Sequence, residues 1–599
     1  MKTCKNFYIL AIFAFSLACL GFIPSCDTQN NDQEIHIRLI STADIHAYVF
    51  PYDFIEGHEI DHSMAHIHSL VKAQRVEHEN NIILLDNGDI LQGQPTGFYY
   101  NFIAKDEEHL IGRVLNYMDY DAATVGNHDI EAGPAVYEAL PETLNFPWLS
   151  ANINHIKSGE PFFEPYTIIE REGVRIAVIG MTTTGVPNWL PRKLWESLEF
   201  VDMYSSAKHY VSYVMENEKP DAIIGLFHSG AGPEMEYDPE RELPDNASRY
   251  IAQYVEGFDV IFTSHDHRER NEIVKNRKGD EVLLIAGLPY GESAGIADLW
   301  FKKDDANNEV SLIRKKGELL GVENYEPCND FMSKFEKEKN IVLEYVNQPL
   351  GKLENSLSSR DGYFGNSAFT DFVHRVQIDV TGADVSFAAP LSFDRELKKG
   401  SIKMSDMFKL YPYENYLYMM ELTGEEIVGF LEHSYGLWFN TMADKNDHLL
   451  QFRKDSDGNF VKSGEGNYVL NRPFYNFDSA YGIYYTVDVS QPPGDRITVE
   501  NMSDDKPFHT DKTYTVAINS YRGSGGGRHL TEGAGINHDD LEQRIVLTSE
   551  NEMRTIIADY IKQKETLSPQ KADNWEIIPK DWAKKAAKRD RVLLFGTEK

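Results

Sequence analysis

The sequence predicts an α/β protein of two domains behind an N-terminal export segment. Three observations predict it. Short aliphatic runs alternate with longer polar stretches over two separate spans, a charged stretch divides those spans, and an apolar run follows two lysines at the N-terminus. At 599 residues the chain exceeds what one hydrophobic core ordinarily organises. Hydrophobic residues at 42% and charged residues at 26% are the balance of a folded chain rather than a disordered one.

Lys2 and Lys5 precede the apolar run from Phe7 to Ile23, which ends at Pro24-Ser25-Cys26 before a polar stretch. This order reads as a signal peptide over residues 1–26 rather than a permanent span. Cys26 after Ser25 is the expected lipidated residue, with Cys19 after Ala18 as the alternative. The protein is therefore expected outside the inner membrane, in the periplasm or as an outer-membrane or cell-surface lipoprotein, touching membrane only through that anchor. Cys328 alone of the four cysteines lies well beyond the signal, so no internal disulfide is expected.

The first domain is expected over residues 34–310. Its strands are read at Ile35–Ile40, Ile82–Leu85, Ala122–Val125, Arg175–Ile179, Ala222–Phe227, Val260–Thr263 and Val282–Ala286, each a short β-branched or aliphatic run between turn residues. Residues 311–347 form a linker region, with a single connecting helix from Asn329 to Tyr345. A second α/β domain follows over 348–565. The tail, 566–599, is polar and basic (Lys584, Lys585, Lys588, Arg589, Arg591) and is expected to pack on the surface.

The charge narrows the function. With 59 Lys plus Arg against 94 Asp plus Glu, the net charge is −35, and a chain this acidic gains nothing from counterion release on a nucleic-acid polymer. Phosphate chemistry here would need metals or a few local arginines.

Five motifs occur in order: Asp44-Ile45-His46, Gly88-Asp89, Gly126-Asn127-His128-Asp129, His228 and His265-Asp266-His267, four of them directly after an expected strand. Loops at the C-terminal edge of a sheet bring polar groups together from distant parts of a chain. Carboxylate, imidazole and amide oxygen suit Zn- or Mn-class ions. One shared carboxylate between two histidine-rich half-sites makes a two-metal centre, with ions about 3.5–4 Å apart. Each motif alone is weak; the ordered set is not. His58-Glu59-Ile60-Asp61-His62 also fits the H-E-x-x-H zinc-protease pattern. It lies in an apparent loop, with Ser63 as the N-cap of the next helix, so His62 falls outside the helix that chemistry requires. His66, His68 and His78 read as exposed helix or loop residues.

These motifs resemble those of the bacterial periplasmic 5′-nucleotidases and 2′,3′-cyclic-nucleotide 2′-phosphodiesterases (3′-nucleotidases) of the metallophosphoesterase superfamily, from about Ile37 to Gly535. The matching segments are Thr42–His46, Asp86–Asp89 with Gln92-Gly93, Gly126–Asp129, Phe227–Gly230 and Ser264–His267. The resemblance implies a four-layer α/β/β/α domain, a linking helix and a C-terminal α/β domain that holds the base of a small nucleotide and swings toward the metals. One of two divalent ions would take Asp44, His46, Asp89 and His267; the other would share Asp89 and take Asn127, His228 and His265. His128 would serve the departing oxygen, held by Glu131, where many relatives carry Asp or Asn. Tyr413 and Tyr521 would stack on the base.

Two departures bear on substrate. Where 5′-nucleotidases carry Asn-Gly-Gly-Gly-Ile-Arg, this chain has Phe387-Ala388-Ala389-Pro390-Leu391-Ser392-Phe393, and where they place an Asp on the ribose hydroxyls it has Gly527. Both favour the cyclic-phosphodiesterase/3′-nucleotidase branch, as do Phe477-Asp478 and Ile483-Tyr484-Tyr485. The alternatives are a 5′-nucleotidase or UDP-sugar hydrolase on the same scaffold and, in another class, a non-catalytic nucleoside-binding surface lipoprotein.

Overall fold

The computed structural model describes residues 33–596 apart from 80, 239–242, 305–308 and 465. The expected signal peptide and Cys26 lie outside the described residues. Among those described, no helix is long and apolar enough to cross a membrane.

Two six-stranded sheets form the first domain. In one, strand Gln33–Thr42 pairs parallel with Ile82–Asp86 and antiparallel with Ser293–Asp304. In the other, Ala222–His228 lies between Val174–Thr182 and Val260–Thr263, parallel to both. The alternating side chains Ile37, Leu39, Ile83 and Leu85 of the first sheet meet Ile176, Val178, Ile224, Leu226 and Phe262 of the second in one apolar cluster. Helix Met64–Glu77 covers the outer face of the first sheet, and helices Met203–Asn217 and Ser248–Tyr254 cover that of the second. This is the α/β/β/α sandwich, with parallel strand ends gathered along one edge.

The first sheet does not end at 310. Strands Ser293–Asp304 and Glu309–Gly321 pair antiparallel on its edge, so the sheet continues to Gly321. The expected single linker helix is two, Asn329–Lys334 and Glu336–Val346, broken at Phe335. Phe331 and Phe335 both pack on Tyr117, with ring centroids at 6.1 and 5.5 Å. The same linker lies along helix Met64–Glu77, and that corrects the expectation for its histidines. His66 and His68 are buried, at 4% and 6% exposure; His66 Nδ1 meets Ser63 Oγ at 2.9 Å and His68 packs against Tyr117 and Phe331. Cys328 is buried there as a free thiol.

The second domain is built on a five-stranded mixed sheet in which Thr513–Asn519 pairs with Val385–Ala388 and with Tyr416–Thr423. Its core includes Phe387 stacked on Phe430 of helix Gly424–Trp438, with centroids at 3.9 Å. The tail is not a surface appendage. Strand Trp575–Ile578 pairs in parallel with Ile483–Asp488, and helix Lys580–Phe595 carries the buried Asp590, whose carboxylate accepts from the Leu449 and Leu450 amides. Basic residues on its exposed face hid an apolar face made by Ala583, Ala586 and Leu594.

The domains meet through buried polar contacts. Gln92 Nε2 donates to Glu414 Oε2 at 2.7 Å, and Arg554, itself fully buried, reaches Glu414 Oε1 at 3.0 Å. Glu56 of the first domain pairs with Arg395 and Lys409 of the second.

Candidate metal centre

Each motif sits where a parallel strand ends. Strands Gln33–Thr42, Ile82–Asp86, Ala122–Thr124 and Val260–Thr263 run directly into Asp44, Asp89, Asn127 and His265, and His228 closes Ala222–His228. Five of the seven expected donors, Asp44, His46, Asp89, His265 and His267, have φ between 49° and 72°, a region non-glycine residues rarely occupy. Backbone strain of this kind is held by the surrounding fold and concentrates at functional sites.

Neighbouring groups supply that hold. The buried Asp129 carboxylate accepts from the amides of Asp89, Ile90, Leu91 and Gly126, fixing the loop that carries Asp89. Gly126 must be glycine, because a Cβ there would lie 2.2 Å from Asp89 Oδ1.

The donor atoms converge in two groups, Asp44 with His46 and His267, and Asp89 with His228 and His265, each within 4.8 Å. Asn127 Oδ1 joins the second, 3.1 Å from His228 Nε2, while Asp89 Oδ2 lies 3.1 Å from the same nitrogen. His46 Nδ1 is 3.0 Å from the Gln92 carbonyl and His228 Nδ1 is 2.8 Å from that of Asn87. A carbonyl only accepts, so both Nδ1 atoms carry a proton and both rings turn Nε2 inward; His228, raised to about 9 by the Asp89 charge against its burial, must shed its second proton to bind an ion. His46 Nε2 and His267 Nε2 then face one another at 3.0 Å.

Electrostatics agree with a cation-binding role. Burial pushes His46 and His265 down to about 3, keeping them neutral as ligands must be. Burial opposes ionisation of Asp89, yet His228 and His128 outweigh it and hold this carboxyl well below the usual range. Burial raises Asp44, and the Asp89 charge adds to that, taking it to about 8; a bound cation relieves this repulsion. Buried carboxylates and inward lone pairs from nitrogen and oxygen fit two divalent ions of the Zn or Mn class.

His128 stands beside the donors, its ring 5.5 Å from that of His46. Its Nδ1 lies 2.5 Å from Glu131 Oε2, so the longer carboxylate reaches the imidazole from one helical turn away. Burial alone would lower the His128 pKa, but Asp89 and Glu131 reverse the sign and raise it to about 10.

Tyr413 and Tyr521 are brought together by Tyr475, whose ring is 6.1 Å from the first and 6.4 Å from the second, near-perpendicular to each. Glu414, next to Tyr413 in the chain, accepts from Gln92, whose carbonyl accepts from His46 Nδ1, so this edge of the second domain adjoins the first donor group. Gly527 has φ +68°, and a Cβ there would lie 2.0 Å from Arg522 Nη1 and 2.5 Å from Asn476 Oδ1. Arg522 is fully buried and paired with Asp478 at 2.7 Å. Phe393 is partly exposed among Tyr363, Phe474 and Phe595.

The H-E-x-x-H pattern holds no site. His58 and Glu59 form a short strand, and His62 precedes the helix that begins at Met64. Sequence reasoning missed Tyr475, Tyr290, Trp189 and the Gln92–Glu414–Arg554 bridge. Asp129 and Gln92 lie inside the matching segments and Glu414 directly follows Tyr413, but none carried an expected role.

Comparison with known proteins agrees with this geometry. The calcineurin-like phosphoesterase family matches residues 37–269, and the 5′-nucleotidase C-terminal domain family matches residues 349–532. The trifunctional nucleotide phosphoesterase protein YfkN of Bacillus subtilis is 27% identical over 610 aligned residues; these cover 91% of this chain and 39% of that protein, so the chain spans well under half its length. The 2′,3′-cyclic-nucleotide 2′-phosphodiesterase/3′-nucleotidase of Haemophilus influenzae is 25% identical, covering 91% of this chain and 88% of that one. A 5′-nucleotidase precursor from Thermus thermophilus shares the fold, with a TM-score of 0.61 at 20% identity over 91% of this chain and 100% of that chain. Taken with the two donor groups, these matches make the chain a metal-dependent hydrolase that belongs to the calcineurin-like phosphoesterases carrying a 5′-nucleotidase C-terminal domain.

Proposed function

We propose that this protein is an exported nucleotide phosphoesterase acting as a 2′,3′-cyclic-nucleotide 2′-phosphodiesterase/3′-nucleotidase. The observation that carries the reading is the bridge from donor to tyrosine: the Gln92 carbonyl accepts from His46 Nδ1, and the Gln92 side chain donates to Glu414, the neighbour of Tyr413 in the Tyr413–Tyr475–Tyr521 cluster. Asp44, His46, Asp89 and His267 would hold one divalent ion, and Asp89, Asn127, His228 and His265 the other. Two such ions supply positive charge where the phosphoryl group gains negative charge.

The chain's own groups do the rest. Asp129 fixes the Asp89 loop, and Tyr413 and Tyr521 give the base aromatic faces worth about 1–3 kcal/mol of stacking. Glu131 accepts the His128 Nδ1 proton, leaving Nε2 to hold a second proton for the departing ribose oxygen. Gly527 favours the cyclic branch over the 5′-nucleotidase one. Arg522 fills the space a side chain would need there, so no carboxylate can meet paired ribose hydroxyls from that position. A substrate whose 2′ and 3′ oxygens carry phosphate has no such pair to offer.

Export with a lipid anchor at Cys26 rests on the Lys2, Lys5, apolar-run and Ser25-Cys26 order. Cys26→Ser should abolish labelling by radioactive palmitate.

The enzymatic test is phosphate release by the Mn-loaded chain lacking residues 1–26, with Asp89→Ala as blank. The substrates are 2′,3′-cyclic AMP, 3′-AMP, 5′-AMP and UDP-glucose, the first and last scored with added phosphatase. Turnover led by the first two is expected. Preference for 5′-AMP would overturn the branch, and no activity above the blank would overturn the nucleotide reading.

A further inference from the structure

Three of the four inward-facing histidines have their second ring nitrogen tied down. His46 and His228 donate to backbone carbonyls, and His267 Nδ1 lies 3.4 Å from Tyr290 Oη. His265 differs. Among the described residues its imidazole has no hydrogen-bond partner; only its amide is engaged, donating to the Asp44 carboxylate at 3.1 Å.

A tryptophan fills that place. Trp189 lies against His265 with ring centroids 5.5 Å apart and planes 21° from parallel. The indole is itself held. It caps the short 3-10 turn Val186–Asn188, between the buried Val186 and Leu190. Its six-membered ring rests on Gly185, where a Cβ would come within 2.4 Å of two indole carbons. The segment also walls an interdomain cavity of about 750 Å³, lined by Pro187 and Leu190 on one side and Gly523 and Ser524 on the other.

We infer that Trp189 is a positioning residue for the Asp89–His228–His265 metal site. It replaces by stacking the hydrogen bond that orients the other three histidines. The inference rests on the two-metal reading and goes beyond it, because it predicts an unequal effect on the two sites. Losing the indole should loosen His265 and weaken one ion, leaving the Asp44–His46–His267 group intact. Loss of an outer partner of a metal-bound histidine typically weakens binding about 10–100-fold.

The experiment counts Mn(II) ions per chain by electron paramagnetic resonance across graded free Mn(II), on chelator-stripped protein checked by circular dichroism. The chains are wild type, Trp189→Ala, Trp189→Leu, Trp189→Phe and His265→Ala. Wild type should hold two ions. Trp189→Ala and Trp189→Leu should hold one at concentrations that fill both wild-type sites, with the second site roughly 10–100-fold weaker. Trp189→Phe, keeping an aromatic face, should fall between. If Trp189→Ala does not fold, the Leu and Phe pair decides the matter. Folded Leu and Ala variants that bind both ions as wild type does would overturn the inference, as would equal weakening of both sites. If wild type and His265→Ala bind the same number of ions, the two-metal reading fails, and this inference with it.

Discussion

Replacing Glu131 with Gln isolates the charge on the His128 partner without removing the side chain. The Gln amide oxygen can still accept from Nδ1, so the imidazole keeps its orientation while losing the carboxylate 2.5 Å away. Glu131 is nearly buried, with 7% of its side chain exposed, so solvent screens little of the interaction. A hydrogen bond to a charged group contributes about 1.5–3 kcal/mol, and each 1.4 kcal/mol is a factor of ten. If that energy keeps a proton on His128 for the departing oxygen, turnover of 3′-AMP should fall about 10–150-fold. A p-nitrophenyl phosphate ester sets the control. Nitrophenolate leaves without needing a proton, so its turnover should change by less than about threefold, because the metal ligands are untouched. The assay is kcat for both substrates at saturating Mn(II), with metal content measured on the same samples. Equal losses on the two substrates would refute the general-acid role and recast Glu131 as a structural support.

Three further outcomes follow from the same contacts. Gly126→Ala would put a methyl 2.2 Å from Asp89 Oδ1, so Mn(II) affinity should drop at least about tenfold with the far-ultraviolet circular dichroism preserved. Glu414→Ala leaves Arg554 buried without its partner, a change that typically costs about 3–5 kcal/mol, and should lower the Tm while Gln92→Ala, which removes a neutral donor, lowers it less. Burial raises the Asp371 pKa from 3.8 to about 6, which makes its ionisation costlier in the folded state than in the unfolded one. The folded chain then binds the extra proton between about pH 4 and 6, and stability falls as pH rises through that window. Asp371→Asn should stabilise by about 1–3 kcal/mol at pH 7, and the gain should shrink toward pH 4; urea unfolding at both pH values checks it.

What the sequence made legible is what short-range chemistry writes into contiguous residues. Strand Val260–Thr263 was readable as three apolar residues and a β-branched threonine between turn signals, and His265-Asp266-His267 was readable because a strand end must project its next residues at the sheet edge. The donor groups came with those strands. The misread elements share a different cause, in that distant segments decide them. His68 looked exposed because its cover is distant in sequence: Phe331 comes from the linker. Phe331 and Phe335 of the linker share one face and meet Tyr117, more than 200 residues earlier in the chain, a partner that their own spacing does not name. The tail helix read as basic surface because its apolar face is only three residues wide and joins a core cluster whose other members lie far from it in sequence. Trp189 and Tyr475 belong to this second class. Each becomes meaningful only beside a ring 76 or 46 residues away, so a stacking partner for a metal ligand leaves no local motif, whereas the ligand itself does. The chemistry of such a site is therefore written locally, and the groups that hold it in place are written in the fold.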